Sequence, residues 1–225
     1  MSMLHLVRHG QASFGADDYD KLSELGWQQS RRLGEYWRSK HQTFDRVITG
    51  TLRRHDETWR GIAQGLGLAS DALSVSRTPC LNEYDSQAVI ATVHPEPLGK
   101  ADTPELYRHH FRLLREGLQR WMSAQAQPQG MPRYADFKAG IAQVLQEICT
   151  GPHQKVLIVS SGGPIATAVG HVLGTPAETT IELNFHIRNS AVSELRFNPK
   201  GHRLISYNTL YHLDGAEHEN WVTFT

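Results

Sequence analysis

The sequence predicts a three-layer α/β/α sandwich with a mostly parallel central sheet and a helical cap inserted into it, and three observations carry that expectation. Short hydrophobic runs alternate with helical periodicity from Met3 to about Leu68. After Asp85 the alternation stops, and Pro95, Pro97, Gly99 and Pro104 lead into a long helical run. Residues 155–160 (KVLIVS) then resume the sheet pattern with a near-continuous apolar strand, as suits a central strand covered on both faces. At 225 residues the chain is read as one domain, 1–225, with a cap insertion at 86–131.

The elements follow in order. Leu4-His5-Leu6-Val7 reads as the first strand and residues 45–49 (DRVIT) as the second. Between them Leu25, Arg32, Leu33, Tyr36 and Trp37 fall near helical spacing, with Ser23 as N-cap and Glu24 in the first turn, so a βαβ unit is the simplest reading. In the cap, a helix is expected from about Glu105 to Ala126, with Leu106, Phe111, Leu114, Leu118 and Trp121 making a packing face. A loop rich in Gln, Pro and Gly precedes a helix from Tyr134 to Cys149, whose Phe137, Ile141, Val144, Leu145 and Ile148 form one apolar stripe. A further helix runs from the Gly-rich turn after residue 160 to about Leu173, with Pro164 suited to its first turn. Strands at 192–197 and 203–211 flank a turn at Asn198-Pro199-Lys200-Gly201.

Composition narrows the function classes. Lys plus Arg equals Asp plus Glu at 23 each, so no overall charge points to nucleic acid or an anionic membrane surface, and any anion site must be local. The amino terminus reaches Arg8 after too few apolar residues for a signal-peptide core or a membrane span, which makes the cytoplasm the expected location. Cys80 and Cys149 are far apart and form no CxxC, which supports neither a disulfide framework nor a cysteine zinc site. The thirteen histidines are scattered without HExxH-type spacing, so no metal site is expected.

The first strand delivers Arg8-His9-Gly10 to its carboxyl end, where anions gather in open α/β sheets. Arg8 offers a planar fork of donors matching phosphate oxygens, and a neutral imidazole is one of the few side chains that attack phosphorus covalently. Gly10 lets the chain turn where a side chain would obstruct a ligand, and Gln11 and Ser13, on the same loop, are candidate substrate contacts. Ser161-Gly162-Gly163-Pro164 forms a second candidate wall, because a Gly-rich strand-to-helix turn leaves backbone N–H groups facing an anion.

Read together, these segments resemble the histidine phosphatase superfamily, which includes the cofactor-dependent phosphoglycerate mutases, in the family's order and over most of the chain. The resemblance makes His9 the phosphoryl acceptor. Residues 22–30 (LSELGWQQS) are similar to the family's "LTxLGxxQA" helix start. Residues 49–58 (TGTLRRHDET) resemble "SxLxRAxxTA", which places a second clamp arginine on Arg54, four residues before Thr58, and leaves Arg53 a bystander. Leu81-Asn82-Glu83 resembles the "LxE" segment that supplies the proton donor, Glu83, with Asp85 a weaker alternative. Residues 208–213 (NTLYHL) are similar to the family's carboxyl-terminal stretch.

One departure is chemically serious. Val159-Ser160-Ser161-Gly162 aligns with a segment that normally reads "VxHG", so Ser161 stands where a second pocket histidine is expected. Serine donates one hydrogen bond and carries no charge, and losing one such donor typically costs about 10²–10³ in turnover. Ser161 is either a phosphate ligand or a strand-end turn residue.

The resemblance implies a metal-independent, cofactor-free phosphomonoesterase in which Arg8 and Arg54 clamp the phosphoryl group and Glu83 is general acid and base. Its partners would be a small phosphorylated substrate and inorganic phosphate, with no nucleic acid and no membrane. The alternatives are mutase-type phosphoryl transfer and a non-catalytic phosphate-binding module. The mutase is disfavoured by Ser161 and by the signature continuation Gln11-Ala12-Ser13-Phe14. Basic cap residues His94, Lys100, Arg108, His109 and Arg112 would suit an acidic substrate or form a solvated helix face. Apolar stripes do not distinguish a core from a dimer interface, so the oligomeric state is open.

Overall fold

The computed structural model describes residues 2–13, 20–69, 72–99 and 101–224. Lys100 and Phe14, named above, lie outside the described residues. Strands β1 (Ser2–Arg8), β2 (Arg46–Thr49), β3 (Val75–Arg77), β4 (Lys155–Ser160), β5 (Val192–Asn198) and β6 (Gly201–Thr209) form one sheet in the order β3-β2-β4-β1-β5-β6. β1, β2, β3 and β4 run parallel, β5 is antiparallel to β1, and β6 is antiparallel to β5. The expected βαβ unit exists as two parallel strands linked through helix α1 (Glu24–Ser39), but β4 inserts between them. The apolar run at 155–160 is therefore central, as its composition requires.

Alternation along the strands feeds two cores. Val7, Val47, Leu157 and Val159 point to α1 and α2 (Arg53–Leu66), packing on Leu33, Trp37, Trp59 and Ile62. Leu4, Leu6, Ile48, Val156 and Ile158 face the opposite side and meet α5 (Tyr134–Thr150) and α6 (Gly162–Leu173) through Ile141, Leu145, Ile148 and Ile165. The result is a three-layer α/β/α sandwich. The N-cap expected for α1 is present, with Ser23 accepting from the Gly26 N–H.

A third, smaller cluster joins α3 (Ser86–Ala91), α4 (Pro104–Met122) and α7 (Ala177–His186) through Val89, Leu118, Trp121 and Ile181. α3 and α4 occupy the segment expected to form a cap. α4 starts where Thr103 accepts from the Leu106 N–H and Pro104, having no N–H, needs no acceptor, but it ends at Met122 rather than near Ala126. Ser123 closes it and Ala124 turns left-handed at φ 59°. The expected packing face also holds over half its length: Leu118 and Trp121 are buried and Leu114 packs against them, whereas Leu106 and Phe111 are exposed. β6 ends at Thr209, and Tyr211 lies in a 3₁₀ turn (Tyr211–Leu213) instead of the strand. Three elements, β3, α3 and α7, were not legible in the pattern.

Candidate active site

The carboxyl ends of β1, β4 and β2 close at one level. Arg8 pairs with Ser160 across β1 and β4, so His9 and Ser161 leave the sheet side by side, and the His9 N–H donates to the Ser160 carbonyl at 2.9 Å. On the other flank the Gly50 N–H donates to the Val159 carbonyl at 3.2 Å. Such a level edge is where open α/β sheets form their crevice.

His9 is 3% exposed, and its ring is oriented by a 2.7 Å hydrogen bond between Nδ1 and the Gly10 carbonyl. A carbonyl only accepts, so Nδ1 carries the proton and Nε2 presents its lone pair. Burial pushes the His9 pKa well below the usual imidazole value, and Arg8, Arg54 and His55 push it further; the Gly10 bond opposes them. The imidazole is therefore neutral near pH 7. Gly10 itself is not in the left-handed region. A Cβ there would lie 2.4 Å from the Gly26 carbonyl oxygen, so the glycine is required by the close approach of α1 rather than by the turn expected from sequence.

The His9 loop is fixed from three sides. The Gly10 N–H donates to Thr58 Oγ1 at 3.0 Å, and that hydroxyl donates to the Arg54 carbonyl at 2.7 Å. Asn189 Nδ2 donates to the His9 carbonyl at 3.2 Å. Gln11 is held by α1, its N–H donating to Gln29 Oε1 and its side-chain oxygen accepting from the Ser23 hydroxyl, both at 2.8 Å. The Ser13 N–H donates to the Lys21 carbonyl. Asn189 and Thr58 carry backbone geometry that no local sequence signal assigns to this loop.

Arg8 and Arg54 both act electrostatically on the neutral His9 imidazole and on Glu83, so the two guanidinium groups are shared neighbours of both. Arg8 Nη1 donates to the Ile187 carbonyl. Arg54 is buried and pairs through Nη1 with Asp20 at 2.6 Å. The second Asp20 oxygen accepts the Arg53 N–H at 2.8 Å, so this carboxylate caps α2, whose N-cap residue Leu52 offers no acceptor side chain. Arg53 turns away to Glu57 at 2.7 Å.

Glu83 follows a 3₁₀ turn (Pro79–Leu81) that is tied to β4 by the Ser160 hydroxyl donating to the Leu81 carbonyl at 2.7 Å. Its carboxylate accepts the Gly163 N–H at 3.1 and 3.2 Å and the Tyr84 N–H at 3.2 Å. Desolvation raises its pKa despite those bonds and the two arginines. The anion met by the Gly-rich turn at α6 is thus the chain's own Glu83, and a Cβ on Gly163 would sit 2.2 Å from Oε1. Gly162 packs instead against Asn184, where a Cβ would come within 2.6 Å of Oδ1. Asp85, the weaker candidate acid, is an exposed N-cap that accepts from the Gln87 and Ala88 N–H groups.

Ser161 is fully buried at the N-cap position of α6, but it makes no capping bond. Its hydroxyl lies 2.8 Å from Nε2 of His55, a buried residue of α2 whose ring centroid is 5.8 Å from that of His9. Sequence reasoning passed over His55. The available signal was a histidine on the alanine of the "SxLxRAxxTA" pattern, in a chain lacking the histidine of "VxHG". Among the described residues no group of histidine, cysteine and acidic side chains is arranged to hold a metal, and no helix is long and apolar enough to cross a membrane.

Chemically, a neutral imidazole with an open nitrogen, two guanidinium groups and a carboxyl of raised pKa can transfer a phosphoryl group and protonate its leaving oxygen. Solved structures share the fold. A phosphoserine phosphatase mutant from Entamoeba histolytica, determined with phosphoserine, is 18% identical at a TM-score of 0.63, covering 95% of this chain and 100% of that one. The alpha-ribazole phosphatase of Shigella flexneri is 20% identical at a TM-score of 0.64, covering 92% and 96%. A 2,3-bisphosphoglycerate-dependent phosphoglycerate mutase of Methylorubrum populi is 34% identical over 89 residues, 37% of this chain and 41% of that relative. The matching segment thus spans less than half the length of that relative. A family model matches residues 4–210, and on that match the chain belongs to the histidine phosphatase superfamily, branch 1.

Proposed function

We propose that this protein is a metal-independent phosphomonoesterase acting on small phosphorylated substrates through a phosphohistidine on His9. The observation that carries the reading is the orientation of His9, buried and neutral, with Nδ1–H bound to the Gly10 carbonyl, which leaves the lone pair on Nε2 for attack.

Nε2 bonds to phosphorus as the ester P–O bond breaks, and Glu83 gives its proton to the leaving oxygen. The Gly10 carbonyl steadies the positive charge that gathers on Nδ1–H. Water then attacks the phosphohistidine, its proton passes to Glu83, the N–P bond breaks and inorganic phosphate leaves. Arg8 and Arg54 neutralise the equatorial oxygens throughout, with Arg54 exchanging its contact to Asp20 for the substrate. Gln11, Ser13 and Gly162 line the approach. The segment 86–131 acts as a cap that sets selectivity, a role supported by the continuity of its cluster with Tyr84, next to Glu83. Structural relatives named as phosphatases, including a mycobacterial glucosyl-3-phosphoglycerate phosphatase determined with inorganic phosphate, support the hydrolytic reading.

The test is phosphate release from p-nitrophenyl phosphate and a panel of alkyl phosphates, together with rapid-quench trapping of an acid-labile phosphoenzyme. His9→Ala should abolish both, a loss of at least about 10³ in turnover. Undiminished hydrolysis in that variant sinks the reading. The partial match to phosphoglycerate mutases motivates one rival, settled by interconversion of 2- and 3-phosphoglycerate without net phosphate release.

A further inference from the structure

Three of the positions at which the chain departs from these patterns meet around the sheet end. In the register that sets Arg54 and Thr58 on "SxLxRAxxTA", Gly50 takes the serine and His55 the alanine, while Ser161 takes the histidine of "VxHG". The structure shows why the three go together. A Cβ on Gly50 would lie 2.1 Å from His55 Nδ1 and 2.6 Å from Cε1, so the imidazole fits only because residue 50 has no side chain. From that slot Nε2 reaches the Ser161 hydroxyl at 2.8 Å, beside His9.

The hydrogen-bond arithmetic assigns a direction. Ser161 has one proton, and phosphoryl oxygens only accept, so a Ser161 that binds a phosphoryl group must spend its proton there. Its lone pair then takes the His55 Nε2–H, which leaves Nδ1 as a bare acceptor. Nδ1 of His55 has no hydrogen-bond partner among the described residues, and it occupies the space beside Gly50 that a side chain there would take. A buried imidazole with an unmet nitrogen is a poor space filler, and an apolar side chain would fill the slot at lower cost.

We infer that His55 and Ser161 form a donor relay, His55 Nε2–H to Ser161 Oγ–H to a phosphoryl oxygen, in which His55 on α2 orients the hydrogen bond that Ser161 gives in place of the missing histidine. Ser161 is the catalytic residue of the pair and His55 its positioning residue. The inference deepens the phosphohistidine reading and rests on it. Burial and Arg54 hold the His55 pKa at about 3, so the relay donates as a neutral group and does not titrate near neutral pH.

The test compares native protein with His55→Ala, Ser161→Ala, both together, His55→Gln, and the exchange His55→Ala with Ser161→His, measuring kcat, KM and orthovanadate affinity. Ser161→Ala should lower kcat by about 10²–10³ and His55→Ala by about 10–100, with the double variant no worse than Ser161→Ala. The exchange should recover turnover above either single variant, because it returns an imidazole to the pocket in the space the Ala vacates. His55→Gln, which keeps an N–H near the Nε2 position, should retain most activity even if His55→Ala folds poorly. Additive losses, or an exchange variant no better than Ser161→Ala, overturn the relay. If the native protein shows no His9-dependent turnover, the phosphohistidine reading fails by itself. Orthovanadate affinity then decides the relay, and equal affinity in native, His55→Ala and Ser161→Ala proteins overturns it.

Discussion

The sheet end around His9 and the helical cluster around Trp121 lie within one fold but are held in different ways. At the sheet end polar groups are buried and wired: Thr58 joins Gly10 to Arg54, Gly163 holds Glu83, and Asn189 holds the His9 carbonyl. In the cluster, Val89, Leu118, Trp121 and Ile181 pack by shape and apolar burial, and the same α4 that supplies two of them leaves Phe111 43% exposed. Hydrogen bonds are directional and fix atoms to fractions of an ångström, whereas apolar packing fixes volume and tolerates exchange. The difference teaches that the two regions should respond differently to substitution: on the proposed function, variants at the sheet end should change rate, and variants in the cluster should change stability or substrate range.

The sharpest division is expected at Glu83. Glu83→Gln should slow alkyl phosphate hydrolysis by about 10²–10⁴ but cost p-nitrophenyl phosphate far less, since p-nitrophenolate leaves without protonation. The same residue should set the pH profile. The proposed first step needs its protonated form, so turnover on alkyl esters should fall as pH rises through its raised pKa, while the depressed pKa of His9 should keep the proposed nucleophile active well into acid. Loss of that alkaline limb in Glu83→Gln, read from kcat against pH, checks the assignment. Arg54→Ala should reduce kcat by about 10²–10³ on both ester classes, because it removes charge stabilisation rather than proton transfer.

Leu118→Ala should do the reverse, lowering unfolding free energy by about 2–5 kcal/mol in a urea titration while kcat on p-nitrophenyl phosphate stays within a few-fold. A large rate loss there would break the comparison by coupling the cluster to the chemistry. Acid should destabilise the sheet end in turn. His55 and the buried His212, whose Nε2 lies 2.9 Å from the hydroxyl of Ser190 behind the His9 backbone, are kept neutral with pKa values of about 3, below the unfolded value of roughly 6.5, so the unfolded state binds more protons in that interval. Stability should therefore fall as pH drops below about 6.5, by roughly 2–3 kcal/mol per histidine at pH 4.5, seen as a declining Tm. The smallest effect is expected for Phe111→Ser, within about 0.5 kcal/mol in stability and visible in KM only for bulky esters.

Legibility followed the length and strength of each local signal. The apolar run at 155–160, the Ser23 cap and the stripe of α5 are strong local patterns, and the structure bears out each of them. β3 is three residues long with two of them exposed, and α7 lacks a pronounced apolar stripe, so neither announces itself. Phe111 was expected in a packing face because periodicity reports which residues share a side of a helix, not how far the neighbouring core extends. Arg8, His9, Arg54 and Glu83 were each legible from motif, and the two arginines come within electrostatic reach of both His9 and Glu83. His55 was not, since nothing local marks a histidine at the start of a helix as a neighbour of a serine 106 positions later.

The sequence by itself determined the layer order of helix and strand, the central character of β4 and the residue types at the carboxyl end of the sheet, because these follow from hydrophobic period and from motifs contiguous in the chain. The tertiary structure decided which of those residues meet. It set β4 between β1 and β2, turned the Gly163 N–H onto Glu83, and cleared Gly50 for the His55 ring. Hydrogen bonds and close contacts depend on distances of a few ångströms between segments far apart in sequence, and only the packed fold specifies them.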